Sequence, residues 1–324
     1  MILFLGRRLL QAAFVMLAVA FLAFFLFRFA GDPVAQMVGA ETSLADQARL
    51  REELGLNDSF LVQFWRFIQA MAAGNFGYSF RTLQPVSEML LSRMPATLEL
   101  GFVALLISIV VGIPTGVYTA LRPNGPSAQV ILAATLVGVS IPTFVIGIFL
   151  IFLFGVHLGW LPTFGRGQTV QLGWWQSSLF TLEGWRALIL PSLTLGLYQL
   201  TLTMRLVRAE MMDVMRTDYI RFATARGIGY GSLYFRHALS NTLVPVVTIV
   251  GLQFGGVIAF SIVTESVFQW PGMGLLFLES IRFVDIPVMS VYLVVVALVF
   301  VLINLLVDLL YFAIDPRIRV RQGV

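Results

Sequence analysis

Six stretches of mostly apolar residues constrain this chain more than any other feature: residues 9–29, 98–121, 130–156, 187–207, 242–264 and 287–312. A helix that crosses the hydrocarbon core of a bilayer needs about 20 such residues. No water reaches the backbone there, so each segment has to satisfy its own N–H and C=O groups, and a run of this kind can only be helical. The expected fold is therefore an all-α membrane protein with six transmembrane helices. Composition agrees, since 58% of the 324 residues are hydrophobic and 12% are charged, against about 25% charged in a soluble domain. The first run is too long for a signal peptide and no convincing small-residue cleavage site follows it, so it is read as a true span.

The charges set the expected orientation. With the N-terminus inside, Arg7, Arg8, Arg122, six arginines from Arg205 to Arg236, and Arg317, Arg319 and Arg321 all fall on the cytoplasmic side. Outside, leaving aside the long segment after the first span, only Arg28, Arg166, Arg186 and Arg282 remain. Arginine excess marks the cytoplasmic loops, so both termini are expected there. All six tryptophans (Trp65, Trp160, Trp174, Trp175, Trp185 and Trp270) fall on the outer side in this arrangement, as an interfacial aromatic layer does. The basic balance thus reports topology and not nucleic-acid binding, because the arginines are sorted by membrane side instead of clustered with stacking aromatics.

Residue types that are missing exclude several chemistries. All 21 basic residues are arginine. Without lysine there is no phosphate-binding loop of the G-x-x-x-x-G-K-[ST] kind and no Schiff-base nucleophile. Without cysteine there are no disulfides and no thiolate metal sites. His157 and His237 lie in separate segments and are read as interface residues with no metal role. An intramembrane enzyme lacks both a His/Glu metal motif and a nucleophile and base pair. An ion-coupled secondary transporter is expected to carry paired ionisable groups near the bilayer midplane, which are missing here.

The chain divides into the first span (residues 1–30), an outer segment (31–96), the remaining spans (97–312) and a short cytoplasmic tail (313–324). Helical periodicity over 44–54 and 60–71, then a turn at Gly74-Asn75-Phe76-Gly77-Tyr78-Ser79, suggests a small folded cap in the outer segment. The loop 158–186 is expected to rest on the membrane surface. No internal repeat is visible, so a pseudo-symmetric path built from six spans requires a second subunit.

Between the fourth and fifth spans lies a polar segment, residues 208–241. Asp218 is placed as the N-cap of a short helix ending at Arg226, with Gly227 in the left-handed position that closes it. Glycines follow at 229 and 231, and Ser232 is placed as the cap of a second short helix to about Ser240. Tyr219, Phe222 and Ala223 offer an apolar face, Arg216, Arg221 and Arg226 offer charge, and Ala223 and Ala225 allow close approach. A knob that docks into a separate protein fits this pattern; an amphipathic helix lying on anionic lipid fits it equally well.

One further pattern separates these alternatives. The run Asp218-Tyr219-Ile220-Arg221, Ala223-x-Ala225-x-Gly227, His237-Ala238-Leu239-x-Asn241-x-Leu243-x-Pro245 resembles the EAA loop of ABC-transporter permeases, in the form found in the dipeptide/oligopeptide (and nickel) importer family. In order along the chain, Gly31-Asp32-Pro33, Leu54-Gly55-Leu56, Gly74-Asn75-Phe76-Gly77, Ala96-Thr97-Leu98-Glu99-Leu100, Thr264-Glu265-x-x-Phe268-x-Trp270-Pro271-Gly272-x-Gly274, Asn304-x-x-Val307-Asp308 and Asp315-Pro316-Arg317-Ile318-Arg319 are similar too. The generic loop has Glu where Arg221 stands and Ala at Phe222, and its Pro comes earlier than Pro245, so the ion pairs of that Glu do not carry over.

The resemblance implies a type I ABC importer transmembrane domain in a bacterial inner membrane. Asp218, Tyr219, Arg221, Phe222, Ala223, Ala225 and Gly227 would form the ATPase-docking loop. It also implies a homologous second permease, two ABC ATPase subunits and an extracytoplasmic substrate-binding protein. ATP and Mg would be bound by the ATPases, leaving this chain no cofactor of its own and no hydrolytic activity. Di- or oligopeptides are the expected cargo, with nickel complexes, glutathione and opines as alternatives.

Polar groups in spans are functional candidates because lipid makes them costly. Gln199, Thr201, Gln253, Ser261 and Asn304 are taken as possible path residues, with Glu265 near the outer mouth, where it and Trp270-Pro271-Gly272 are read chiefly as an ordering turn. Asp308, near the inner boundary, is expected to pair with a cytoplasmic arginine. Gly112-x-x-x-Gly116 and Gly251-x-x-x-Gly255 are expected to let helices approach closely, and Pro114 and Pro142 to kink their spans.

Overall fold

The computed structural model describes residues 2–28, 34, 43–53 and 55–314; Gly31-Asp32-Pro33, Leu54 and the tail from Asp315 lie outside the described residues. Helix α1 (Ile2–Arg28) is followed by two shorter helices, α2 (Leu44–Glu53) and α3 (Phe60–Ala72), and then by the long α4 (Val86–Leu121). Next come α5 (Pro126–Ser140) and α6 (Thr143–Leu150), the latter running on as a π-helical stretch, Ile151–His157. An antiparallel hairpin, β1 (Val170–Leu172) and β2 (Trp175–Ser177), pairs Val170 with Ser177 and Leu172 with Trp175. It precedes α7 (Leu182–Val214) and the short α8 (Asp218–Ala225). A second π-helical stretch, Ser232–Ala238, continues directly into α9 (Leu239–Val267), and α10 (Met273–Arg282) and α11 (Ile286–Ile314) follow.

Five of these helices, α1, α4, α7, α9 and α11, are long and apolar enough to cross a membrane. The expected third span is not one straight helix: α5 and the α6 unit meet at 108°. Pro142 is the physical reason. It holds an extended backbone (φ −55°, ψ 136°) just before α6, has no N–H to bond the turn behind it, and disfavours helix at Ile141. Pro114, by contrast, sits inside an unbroken α4.

The centre of the bundle is the parallel pair α4 and α7. In lipid there is no water to drive helices together, so packing depends on small residues that bring backbones close. A Cβ added at Gly116 would lie 2.7 Å from Val207 Cβ and 2.8 Å from the Met204 carbonyl oxygen, and one at Gly196 would lie 2.9 Å from the Ala104 carbonyl. Between them Ser108 and Thr203 share a hydroxyl hydrogen bond of 2.8 Å. The second glycine pair works the same way, with Val307 of α11 against Gly251 and Phe300 against Gly255. Helix α7 is the axis, with 67% of its apolar window buried against 11% for α1 at the rim. Gly116→Val should therefore cost about 1–3 kcal/mol through overpacking, whereas Gly256→Val, with nothing within 4 Å, should leave the thermal unfolding midpoint in detergent unchanged. Equal midpoints for the two variants would contradict this packing.

The described outer segment has no core of its own. Helix α2 buries no residue. Helix α3 lies on α1 through a phenylalanine cluster, Phe24 to Phe60 at 5.3 Å, Phe21 to Phe64 at 5.4 Å and Phe24 to Phe67 at 5.5 Å between ring centres. The turn that follows is pinned to the α10–α11 joint: Asp285 accepts hydrogen bonds from the Ser79 hydroxyl and, at 3.2 Å, from the Phe80 N–H.

Candidate functional site

At one end of the bundle α8 stands out from the ends of α4, α7 and α9. Its N-cap is Thr217, with extended backbone (φ −71°, ψ 152°), not Asp218, which is the first helical residue. The Thr217 hydroxyl donates back to the Val214 carbonyl and caps nothing. Gly227 takes the expected left-handed conformation at φ 76°, and its N–H bonds the Thr224 carbonyl at 2.9 Å while that of Ile228 reaches Ala223 at 3.3 Å. The predicted second helix does not stop at Ser240. It starts as π-helix after Gly231 and is continuous with α9, so any push on α8 meets the end of a long span.

One face of α8 is locked to the chain's own core. Ile220 and Ala223, three apart, are buried in a cluster with Val117, Val207, Met211 and Leu233. Ala223, expected on the outward side, thus faces inward, because the helical period puts it beneath the same stripe as Ile220. Tyr219, Arg221, Phe222, Ala225 and Arg226 are exposed, Phe222 by 65%. The Arg226 guanidinium lies 5.7 Å from the Phe222 ring, and Asn241 donates to the Tyr219 hydroxyl at 2.8 Å, tying α8 to the foot of α9. The Arg221–Asp218 pair, 3.5 Å apart and largely exposed, adds little stability. Tyr230 and Phe235, 68% and 63% exposed, widen the aromatic surface. Sequence reading overlooked them, and their only signal was two aromatics amid glycines and arginines.

The opposite end is organised by two buried carboxylates. Glu99 in α4 meets Arg166 at 2.7 Å, with side chains only 2% and 7% exposed. Glu99 also accepts from Trp175 Nε1 at 2.9 Å and the Ser178 N–H at 3.0 Å. Arg166 donates to the Ser178 hydroxyl and the Gln176 carbonyl as well. Within the loop 158–186 the β1–β2 hairpin is clamped to α4, since a buried carboxylate needs compensating donors and the loop supplies them. Glu265 accepts from Thr97 at 2.7 Å, Ser261 at 3.0 Å and the Leu275 N–H at 2.9 Å. Trp270 is fully buried and donates to the Ala96 carbonyl at 2.9 Å, so it belongs to the core and not to an interfacial layer.

The candidate path residues do not converge. Ser261 and Glu265 bond one another at this end. Asn304 donates to the Phe300 carbonyl within α11, and Thr201 to the Leu197 carbonyl within α7. Gln199 and Gln253 differ, because the side-chain oxygen of each is buried with no hydrogen-bond partner among the described residues. Leu195 shares a cluster with Val257, and Val207 shares one with Val246 and Val250. Helices α7 and α9 are thus antiparallel, which puts the two glutamines at one depth near mid-span. Asp308 pairs with Arg8 at 2.7 Å, a specific partner for the expected cytoplasmic arginine.

Comparison with known proteins places this arrangement. Residues 112–320 match the family described as "Binding-protein-dependent transport system inner membrane component", and residues 1–101 match its N-terminal counterpart. The dipeptide transport system permease protein DppB of Alkalihalophilus pseudofirmus is 37% identical over 97% of this chain and 98% of its own length. The glutathione transport system permease protein GsiC of Escherichia coli K12 is 36% identical over 96% of both. Among solved structures, a chain of the MetNI methionine ABC transporter in an inward-facing conformation aligns with a TM-score of 0.54 at 18% identity, covering 68% of this chain and 93% of that one. Its likeness supports the type I importer fold alone. The chain belongs to the binding-protein-dependent transport system inner membrane components, and is a multi-pass permease subunit of an ABC importer.

Proposed function

We propose that this permease couples to a separate ABC ATPase through the outward face of α8, pairs with a homologous second permease, and passes short peptides delivered by an extracytoplasmic binding protein. The observation that carries the docking reading is the two-sidedness of α8. Its inward apolar residues, Ile220 and Ala223, are used up by the chain's own core, so that stripe is not free to lie in a bilayer as an interfacial helix requires. Tyr219, Phe222, Tyr230 and Phe235 still face outward. Two ATPases, one for each permease, would bind ATP and Mg. The arginine distribution supports cytoplasmic termini, with α8 and the Arg8–Asp308 pair on that side.

Peptide cargo is the reading in keeping with relatives named for dipeptide and for glutathione, itself a short peptide. The unpartnered amide oxygens of Gln199 and Gln253 are acceptors suited to peptide N–H groups, so these two lead the path candidates over Ser261, Glu265 and Asn304. The test is reconstitution of the full transporter in liposomes with binding protein and labelled dipeptide, glutathione or a nickel complex. Peptide-dependent stimulation of ATP hydrolysis together with uptake is expected. No ATPase in the purified complex ends the docking reading, while uptake of the nickel complex alone ends the peptide reading.

A further inference from the structure

A groove of about 640 Å³ opens between α1 and α11, within the 300–1,000 Å³ range of small-ligand sites. Its rim carries Arg7, Arg8 and Asp308, and its apolar walls toward mid-span are formed by Phe14, Val15, Phe300 and Val301. Arg8 is held against Asp308 at 2.7 Å, and Arg7 is exposed beside them. The three rim charges therefore sum to one net positive charge.

The geometry points to a site for one anionic diacyl phospholipid, its phosphate on the Arg7 and Arg8 guanidinium groups and an acyl chain along the groove. Three observations combine here. Residues 7 to 15 of α1 and 300 to 308 of α11 each extend about 12 Å along their helices, close to the roughly 15 Å depth of one leaflet's hydrocarbon. The charged rim lies at the ends of the apolar spans of both helices, Gly6–Leu26 and Ile286–Leu309, where headgroups sit, and the apolar stretch lies toward mid-span. Nearby side chains on α1 face outward, Leu10 by 74% and Phe14 by 73%, so the groove is open to lipid from the side. Guanidinium groups present paired donors that match phosphate oxygens, and basic pockets between spans are recurrent sites for anionic headgroups. The lipid would fill the space between α11 and the least buried span, with no role for α8 or the glutamine pair.

The test uses the delipidated full transporter titrated with dioleoyl-phosphatidylglycerol or dioleoyl-phosphatidylcholine and read by native mass spectrometry. The wild type is expected to prefer phosphatidylglycerol. Arg7→Gln should weaken that lipid about fivefold, the effect of one basic residue at an anionic surface, and leave phosphatidylcholine unchanged. Arg186→Gln, at the hairpin end, should leave the binding of both lipids unchanged. Val301→Trp fills the groove and should remove both lipids, while the exposed Arg7 variant keeps the test decisive if that one misfolds. Equal affinity for the two lipids, or equal shifts in the Arg7 and Arg186 variants, overturns the site. Competition by free glycerophosphoglycerol as strong as by the lipid makes it a simple anion site and overturns the lipid assignment.

Discussion

Arg166→Ala is expected to lower the unfolding stability of the protein by about 3–5 kcal/mol, the range for breaking a buried ion pair by removing one partner. The loss is large because Glu99 stays behind. Its carboxylate is 2% exposed and would keep the Trp175, Ser177 and Ser178 donors but no opposite charge, leaving it uncompensated away from water. The Ser178 hydroxyl and Gln176 carbonyl would lose their shared donor in the same step, so the hairpin should be held to α4 less firmly, through the bonds from Trp175 and Ser178 to Glu99. Chemical unfolding in detergent, followed by tryptophan fluorescence, reads both effects. A double variant, Glu99→Leu with Arg166→Met, should regain part of the loss, because an apolar pair removes the unpaired charge while Trp175 Nε1, the Ser178 N–H and the Gln176 carbonyl still lose their partners. A cost below about 1 kcal/mol for Arg166→Ala, as for a surface pair, would show that the clamp is open to water.

Phe222→Ala should leave the fold intact and uncouple the transporter. The side chain is 65% exposed and touches its own chain chiefly through Arg226, so truncation removes little internal packing. If it is an anchor in an ATPase cleft, its loss costs the 2 kcal/mol or more typical of an interface hot spot, about a thirtyfold loss in association. Arg221→Glu on the same face should add to the defect by reversing charge. Ile220→Ala is the contrasting variant: it empties a buried site under α8 and should cost about 2–5 kcal/mol of stability. The paired measurements are ATPase co-purification and thermal stability. Wild-type ATPase association and stimulation in Phe222→Ala would remove α8 from the coupling surface, whatever Ile220→Ala does.

Much of this was legible in residue order, and its limits follow a physical division. Five spans, the short helix at 218–225 and the stop at Gly227 depend on local composition and on backbone freedom at one glycine. The bend at Pro142 was underestimated as a kink because its size depends on what α6 packs against. Gly147 of α6 sits against Phe268 and Thr194, contacts with elements more than 40 residues away in sequence that no local rule supplies. Ala223 was assigned outward because periodicity identifies a stripe of residues and not what lies beneath it.

By itself, the sequence determined an all-helical membrane chain, an expected sidedness from the preference of arginine for one face, and a polar loop between the fourth and fifth spans, since each follows from runs of neighbouring residues and from the cost of exposing backbone in lipid; that the loop is of the importer type came from its resemblance to a family. Only the tertiary structure decided which charges meet. Glu99 finds Arg166 across 67 positions and Arg8 finds Asp308 across 300; Trp270 becomes core, and Gln199 and Gln253 keep oxygens without a partner among the described residues at mid-depth. A carboxylate in an apolar span announces that it needs a partner, but several arginines can answer, and the choice rests on how α4 and α7 close around their glycines.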